Sequence, residues 1–233
     1  LPVPYLVTTD DVHIPQISPA REEFGLPPDG FVFCSFNQTH KLTPEIFGVW
    51  MRILKAVPDS VLWQIESNID IRNNLCRAAS DCGIATNRIV FADKAPLTQH
   101  LARYRHADLF LDTPTHGAIV TAFDVLRMGV PLLTFLGDTF TSRAPASLVT
   151  AAGIPELAVS GIVDYEQMAV TLATSPNRLT EFRNRLAAGN STSPLTDTDL
   201  FVSHLQNAFD TMWQTHRRYP GSDGRSGSLP AER

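Results

Sequence analysis

Short apolar runs, each followed within a few residues by a helical pattern, recur at residues 31–36, 60–65, 88–92, 109–112 and 131–135. Runs of this length bounded by turn residues predict strands. The helical patterns that follow them cover 44–57, 70–83, 98–106, 118–129 and 143–153, with Gly83, Gly129 and Gly153 placed where a helix ends in a left-handed residue. Strands alternating with helices imply a parallel sheet, since each crossover helix carries the chain back to the same end of the sheet. The expected fold is α/β, a Rossmann-like doubly wound parallel sheet spanning about residues 30–153. Past Gly153 the strands are expected to stop. Helical patterns at 165–173, 177–187 and 197–217 make up a C-terminal helical part, 154–218. The last of them carries Leu200, Phe201, Leu205, Phe209, Met212 and Trp213 at helical spacing, a face suited to packing against another surface. Residues 1–218 are thus read as one lobe, and 219–233, rich in Gly, Ser and Pro, as a disordered tail.

The 233 residues are 43% apolar and 18% charged, which is enough chain for one large core. A net charge of −5, with no Lys/Arg run longer than Arg217-Arg218, argues against a nucleic-acid surface. Any phosphate binding must therefore be local. No apolar run approaches the roughly 20 residues that span a bilayer. The N-terminus, Leu1-Pro2-Val3-Pro4-Tyr5, has neither an initiator Met nor a signal-peptide pattern, so the chain is expected to be a segment of something longer. Cys34, Cys76 and Cys82 match neither a zinc site nor a disulfide framework, and a reducing cytoplasm fits them best.

No GxGxxG or GxxxxGK[ST] follows any of the strands, so a dinucleotide fingerprint and a P-loop are both excluded. Three other constellations carry candidate chemistry. The buried run 31–36 passes directly into Asn37-Gln38-Thr39-His40-Lys41, a cationic polar loop at a strand end, which is where an open α/β sheet holds a phosphorylated ligand. Lys41 can offer a point charge to a diphosphate while Gln38 and Thr39 donate hydrogen bonds; a solvated loop lysine is the plainer reading of the same pattern. In the segment from Ala95 to Arg103, His100 and Arg103 fall three apart on one helical face, where an imidazole can stack on a base and a guanidinium can bond its carbonyls, or where both simply face solvent. Between Asp112 and Asp124 a strand end meets a Gly-containing turn and a helix N-terminus, whose backbone N–H groups can bind phosphate. Asp124, set among Phe123, Val125 and Leu126, needs a partner: a ribose diol or a helix-to-loop hydrogen bond.

The order FNQxxK from Phe36, RIVF from Arg88, AP at Ala95, ADLFLDT from Ala107, AFDVL from Ala122, GVPLLT from Gly129 and GDTFTSR from Gly137 resembles the C-terminal catalytic half of the protein O-GlcNAc transferases, glycosyltransferase family 41. The resemblance runs nearly continuously from about Leu1 to Trp213 and includes Leu1-Pro2 and Ser193-Pro194-Leu195. It implies two Rossmann-like lobes facing each other, this one gripping the nucleotide sugar, while an N-terminal lobe and tetratricopeptide repeats handle the protein acceptor. It implies that Lys41 neutralises the donor diphosphate with Gln38 beside it, that His100 stacks on the uracil with Arg103 near the base, that Ala95 bonds the base through its backbone, and that Asp124 holds the ribose hydroxyls. Thr121 matches the second threonine of the family's His-Thr-Thr phosphate turn, but Ile119 and Val120 stand in place of its histidine and first threonine, and Leu97 replaces a lysine. His116 could substitute only through a rearranged turn. Ser142-Arg143 matches a recurrent pair at a helix start, for packing or for an anion contact.

The reaction so implied is inverting transfer of N-acetylglucosamine from its uridine diphosphate donor to Ser or Thr hydroxyls of proteins. No Asp-x-Asp motif suggests a catalytic divalent metal, so metal independence is expected, with no cofactor besides the nucleotide-sugar substrate. Neither nucleic acid nor membrane is an expected partner. The isolated fragment is expected to be inactive without its opposing lobe. Two other readings stay open: a nucleotide-sugar-binding module that has lost catalysis, and a family member using another donor such as GDP-fucose. Lipid-directed glycosyltransferases and sugar-nucleotide epimerases share the lobe but usually carry a Glu in this half, and none follows the Asp112 turn.

Overall fold

The computed structural model describes residues 4–8, 14–15, 19–189 and 194–218. The tail 219–233, Leu1-Pro2 and Ser193 lie outside the described residues. Six strands, β1 (Val32–Ser35), β2 (Val61–Ile65), β3 (Ile89–Ala92), β4 (Leu109–Leu111), β5 (Leu132–Phe135) and β6 (Ala158–Val159), pair in the order β3-β2-β1-β4-β5-β6. Every pair is parallel, with Val32 opposite Val61, Leu62 opposite Ile89, Phe33 opposite Leu109, and Phe110 opposite Leu132. This is a Rossmann-like doubly wound sheet whose strand order reverses between β1 and β4, so a crevice opens outside their C-terminal ends. All residues of β1, β4 and β5 are buried, which is why these strands read as unbroken apolar runs.

Among the described residues there are eight α-helices: α1 (Pro44–Ala56), α2 (Ile69–Asp81), α3 (Leu97–Arg103), α4 (Val120–Arg127), α5 (Phe140–Ala151), α6 (Ile162–Thr174), α7 (Pro176–Gly189) and α8 (Thr198–Arg218). Helix α1 begins where Thr43 accepts a hydrogen bond from the Ile46 N–H with Pro44 in the first turn, and it buries Ile46, Val49, Trp50 and Ile53 against the sheet. Gly83, Gly129 and Gly153 take the left-handed conformation expected of them, with φ of 77°, 75° and 80°.

The C-terminal part departs from expectation. A sixth strand follows Gly153, placing Ala158 opposite Thr134 and Val159 opposite Phe135. It is two residues long, too short to leave a periodic signal. Helices α6 and α7 pack into the lobe. Tyr165, Ala169 and Leu172 of α6 and Leu179, Phe182 and Leu186 of α7 belong to the same apolar core as β1 and β4. The Trp50 indole N–H donates to the Tyr165 hydroxyl at 3.3 Å, and that hydroxyl donates to the Asp112 carbonyl at 2.9 Å, so α6 reaches the end of β4 from beneath. Helix α8 buries none of its residues and exposes Val202, Phe209, Met212 and Trp213. Asp197, half of an Asp-x-Asp sequence, caps that helix by accepting from the Leu200 N–H at 2.8 Å. Among the described residues no helix is long and apolar enough to cross a membrane.

Candidate functional site

The sheet delivers the sequence-predicted residues to the crevice at the β1/β4 reversal. Phe36 and Asn37, both buried, follow β1, and the chain turns through a short 3-10 helix, Thr39–Lys41, with Gln38 exposed at its start. Asp112, which is fully buried, directly follows β4. Its carboxylate accepts from Asn37 Nδ2 at 2.9 Å and from the Ala118 N–H at 2.8 Å through Oδ1, and from Thr134 Oγ1 at 2.7 Å through Oδ2. Burial raises its pKa above the ordinary carboxylate range, and the bonds from Thr134, the Thr113 backbone, Asn37 and Ala118 hold the rise down. The ends of β1, β4 and β5 are thereby joined through one side chain.

That junction places Lys41. The loop leaving Asp112 turns at Gly117, and the Lys41 ammonium donates to the Gly117 carbonyl at 3.0 Å. Burial lowers the pKa of Lys41, and the Asp112 carboxylate pulls it back up. Only glycine fits at 117, because a Cβ there would overlap the Pro145 ring and stand 2.8 Å from Asp112 Oδ2. Residues Asn37 and Asp112 escape motif reasoning, yet each is a polar residue closing a buried strand, which is a signal that it needs a partner.

On the other side of Phe36 lies His100. Helix α3 holds it half-buried, with its ring 5.5 Å from Phe36 and edge-on to Tyr104 at 5.2 Å between centroids. Arg103 is 2% exposed and lies beneath, its guanidinium 4.6 Å over the Phe36 ring, with Nη1 donating to the Asp93 carbonyl at 2.6 Å and Nη2 bonded to His100 Nδ1. A guanidinium only donates, so Nδ1 must accept and the imidazole proton sits on Nε2. Burial, with Arg103 adding to it, pushes the His100 pKa down to about 4, so the ring is neutral at pH 7. His100 is thus a fixed neutral aromatic platform, and Arg103 sits behind it rather than on the open face. Ala95 is partly buried in the loop between β3 and α3.

Helix α4 supplies the third element. Thr121 stands partly buried in its first turn; Ile119 occupies the cap position with no side-chain cap bond, and Val120 is 66% exposed. Leu97, at the start of α3, is likewise exposed. Asp124 is half-buried, and burial raises its pKa to about 6 against the pull of Arg127. Its charge also acts on Tyr104, which links α4 to the His100 platform. His116 is exposed, and its carbonyl accepts from Thr113 Oγ1 at 2.9 Å. Ser142 is used in packing and capping. Its Oγ accepts from the Thr139 N–H at 3.0 Å while its own N–H donates to Thr139 Oγ1 at 3.2 Å, and Arg143 faces outward. Among the described residues no three His, Cys, Asp or Glu stand together as a metal set. The arrangement offers a half-buried cation, a helix N-terminus, a neutral stacking ring and a carboxylate of raised pKa: the complements of phosphate, base and hydroxyl groups.

The family model of glycosyl transferase family 41 matches residues 5–205. A probable UDP-N-acetylglucosamine–peptide N-acetylglucosaminyltransferase SEC of Arabidopsis thaliana is 35% identical over 213 residues, 91% of this chain and 22% of the plant protein. The UDP-N-acetylglucosamine–peptide N-acetylglucosaminyltransferase of Caenorhabditis elegans is 30% identical over 197 residues, 84% of this chain and 17% of that protein. Among solved structures, a mutant of the Thermobaculum terrenum O-GlcNAc transferase superposes with a TM-score of 0.78 at 30% identity, covering 90% of this chain and 39% of that one. WaaG, a glycosyltransferase of lipopolysaccharide biosynthesis, shares the fold alone, at a TM-score of 0.60 and 13% identity over 76% of this chain and 46% of that one. The chain therefore spans only a small part of these curated relatives. With the match running through the β1 loop, α3 and α4 alike, the chain belongs to glycosyl transferase family 41.

Proposed function

We propose that this chain is the nucleotide-sugar-binding lobe of a two-lobed glycosyltransferase that moves N-acetylglucosamine from UDP-N-acetylglucosamine to Ser or Thr hydroxyls of proteins. The observation that supports the reading is that Lys41 and the Phe36–His100 pair stand at the loop leaving β1 beside the strand-order reversal, with Asp124 near enough to act on Tyr104, which packs against His100. Uracil stacks on His100 with its edge bonded by the Ala95 backbone, Asp124 accepts from the ribose hydroxyls, and the diphosphate lies between Lys41, Gln38 and the first turn of α4 at Thr121. Inverting attack at the anomeric carbon leaves negative charge on the departing diphosphate. Lys41 and the α4 N-terminus are aimed at that charge, so no metal is required. The sugar nucleotide is a substrate and no cofactor takes part. The opposing lobe, with tetratricopeptide repeats, supplies the acceptor groove in the remainder of a longer protein, which works in the cytoplasm. Transfer by the full-length protein to an acceptor peptide should persist in EDTA. Loss of activity that Mn²⁺ restores would overturn the assignment of Lys41.

A second reading is favoured by one observation. Val120 and Leu97 present exposed apolar side chains at the very helix starts that border the phosphate region. A lobe that binds the sugar nucleotide without transfer would tolerate them. Saturable UDP binding by a full-length protein that shows no turnover would select that reading, and a preference for GDP over UDP would redirect the donor assignment to a guanosine-linked sugar.

A further inference from the structure

We infer that Asp112 is the positioning residue for Lys41: without reaching any ligand, its buried carboxylate holds the Gly117–Ala118 turn on which the ammonium rests. This rests on the proposed nucleotide site, since its use is to present Lys41 to a diphosphate. The geometry is specific. Among the described residues the hydrogen bonds to the carboxylate come from neutral donors: the Asn37 amide, the Ala118 N–H, the Thr134 hydroxyl and the Thr113 backbone. Among the described residues no cation is paired with it, so any charge the carboxylate carries sits in the interior without an ion-pair partner. A purely structural hub has no need of that charge, because an asparagine could accept from Ala118 and give its amide to Thr134 Oγ1 or to Asn37 Oδ1, which has no partner of its own.

The charge does have a recipient. Lys41 is one residue beyond the carboxylate's reach, on the Gly117 carbonyl, and among the described residues Asp112 is the charged group that acts on it. Burial lowers the pKa of Lys41, and the Asp112 carboxylate opposes the lowering. Close packing of the turn reinforces the placement, because Gly117 is wedged between Asp112 and Pro145 and its N–H donates to the Thr141 carbonyl at 3.1 Å. The carbonyl that receives Lys41 therefore cannot drift while Asp112 stays in place.

The test is the titration of the Lys41 ammonium by NMR of lysine-labelled chain, with no nucleotide present and with Lys41→Met to assign the signal. In Asp112→Asn the midpoint should fall by about one pH unit or more, the size expected when a nearby opposite charge is removed. An unchanged midpoint in a folded Asp112→Asn chain overturns the inference. Should that variant not fold, the reciprocal measurement stands in for it: the Asp112 carboxyl should titrate higher in Lys41→Met than in the unaltered chain, and an equal value refutes the coupling. Because neither arm uses a ligand, both outcomes are separate from the question of whether the site binds UDP.

Discussion

Asp124 should cost this chain stability at neutral pH. Its folded pKa is about 6 against an ordinary carboxylate value of 3.8, and burial is the leading cause. Between those two values the unfolded chain has already released its proton while the folded chain still holds it, so stability falls as pH rises through this window and stays low above it. At full strength a shift of this size corresponds to about 3 kcal/mol. The side chain is only partly buried, and solvent screening reduces the expected penalty to about 1–2 kcal/mol. Asp124→Asn removes the ionisable group with little change of shape. It should therefore stabilise the ligand-free chain by that amount at pH 7–8 and by nothing below pH 4, as read from urea unfolding across the range. The same substitution should weaken nucleotide binding, since a carboxylate accepting from ribose hydroxyls contributes about 1.5–3 kcal/mol. Wild-type affinity should accordingly show an acid limb near pH 6 that the variant lacks. A variant no more stable than wild type at pH 8, or equally stabilised at pH 4, would refute the reasoning.

Lys41→Met should lower UDP affinity about tenfold while leaving uridine affinity unchanged, because the ammonium exchanges a neutral carbonyl bond at Gly117 for a charged phosphate one; calorimetry with both ligands checks it. His100→Ala should weaken UDP and uridine alike by about 1–3 kcal/mol, the worth of a base stacked on an aromatic ring, without moving the acid limb assigned to Asp124. Gly117→Ala should destabilise the chain by about 1–3 kcal/mol through overlap with Pro145, seen as a lowered urea midpoint at unchanged slope.

The core of the fold was legible because β1, β4 and β5 are buried on both faces and so appear as uninterrupted apolar runs, with left-handed glycines closing the helices between them. Strand β6 was not, because two residues carry no period; its pairing with β5 is decided by tertiary packing. The integration of α6 was equally hidden, since a tyrosine in a helical pattern gives no sign that its hydroxyl joins Trp50 to Asp112. At the candidate site, Lys41 follows a strand end while His100 and Asp124 lie on helices α3 and α4, so residue type and position alone left their plainer readings open and the family resemblance singled them out. Arg103 shows the limit of spacing: three residues from His100 predicts a shared face, but not that the guanidinium is buried over Phe36 and bonds Nδ1 of the imidazole, setting its tautomer. Ser142, open between packing and anion contact, is fixed as packing by its reciprocal cap with Thr139.

Calorimetric titration of the wild-type chain with UDP at pH 7.5, with uridine and GDP as competitors, bears most directly on the central claim. The account predicts saturable one-to-one binding of UDP that is tighter than uridine and is lost on combining Lys41→Met with His100→Ala. Absence of UDP binding, or binding indifferent to both substitutions, would contradict it.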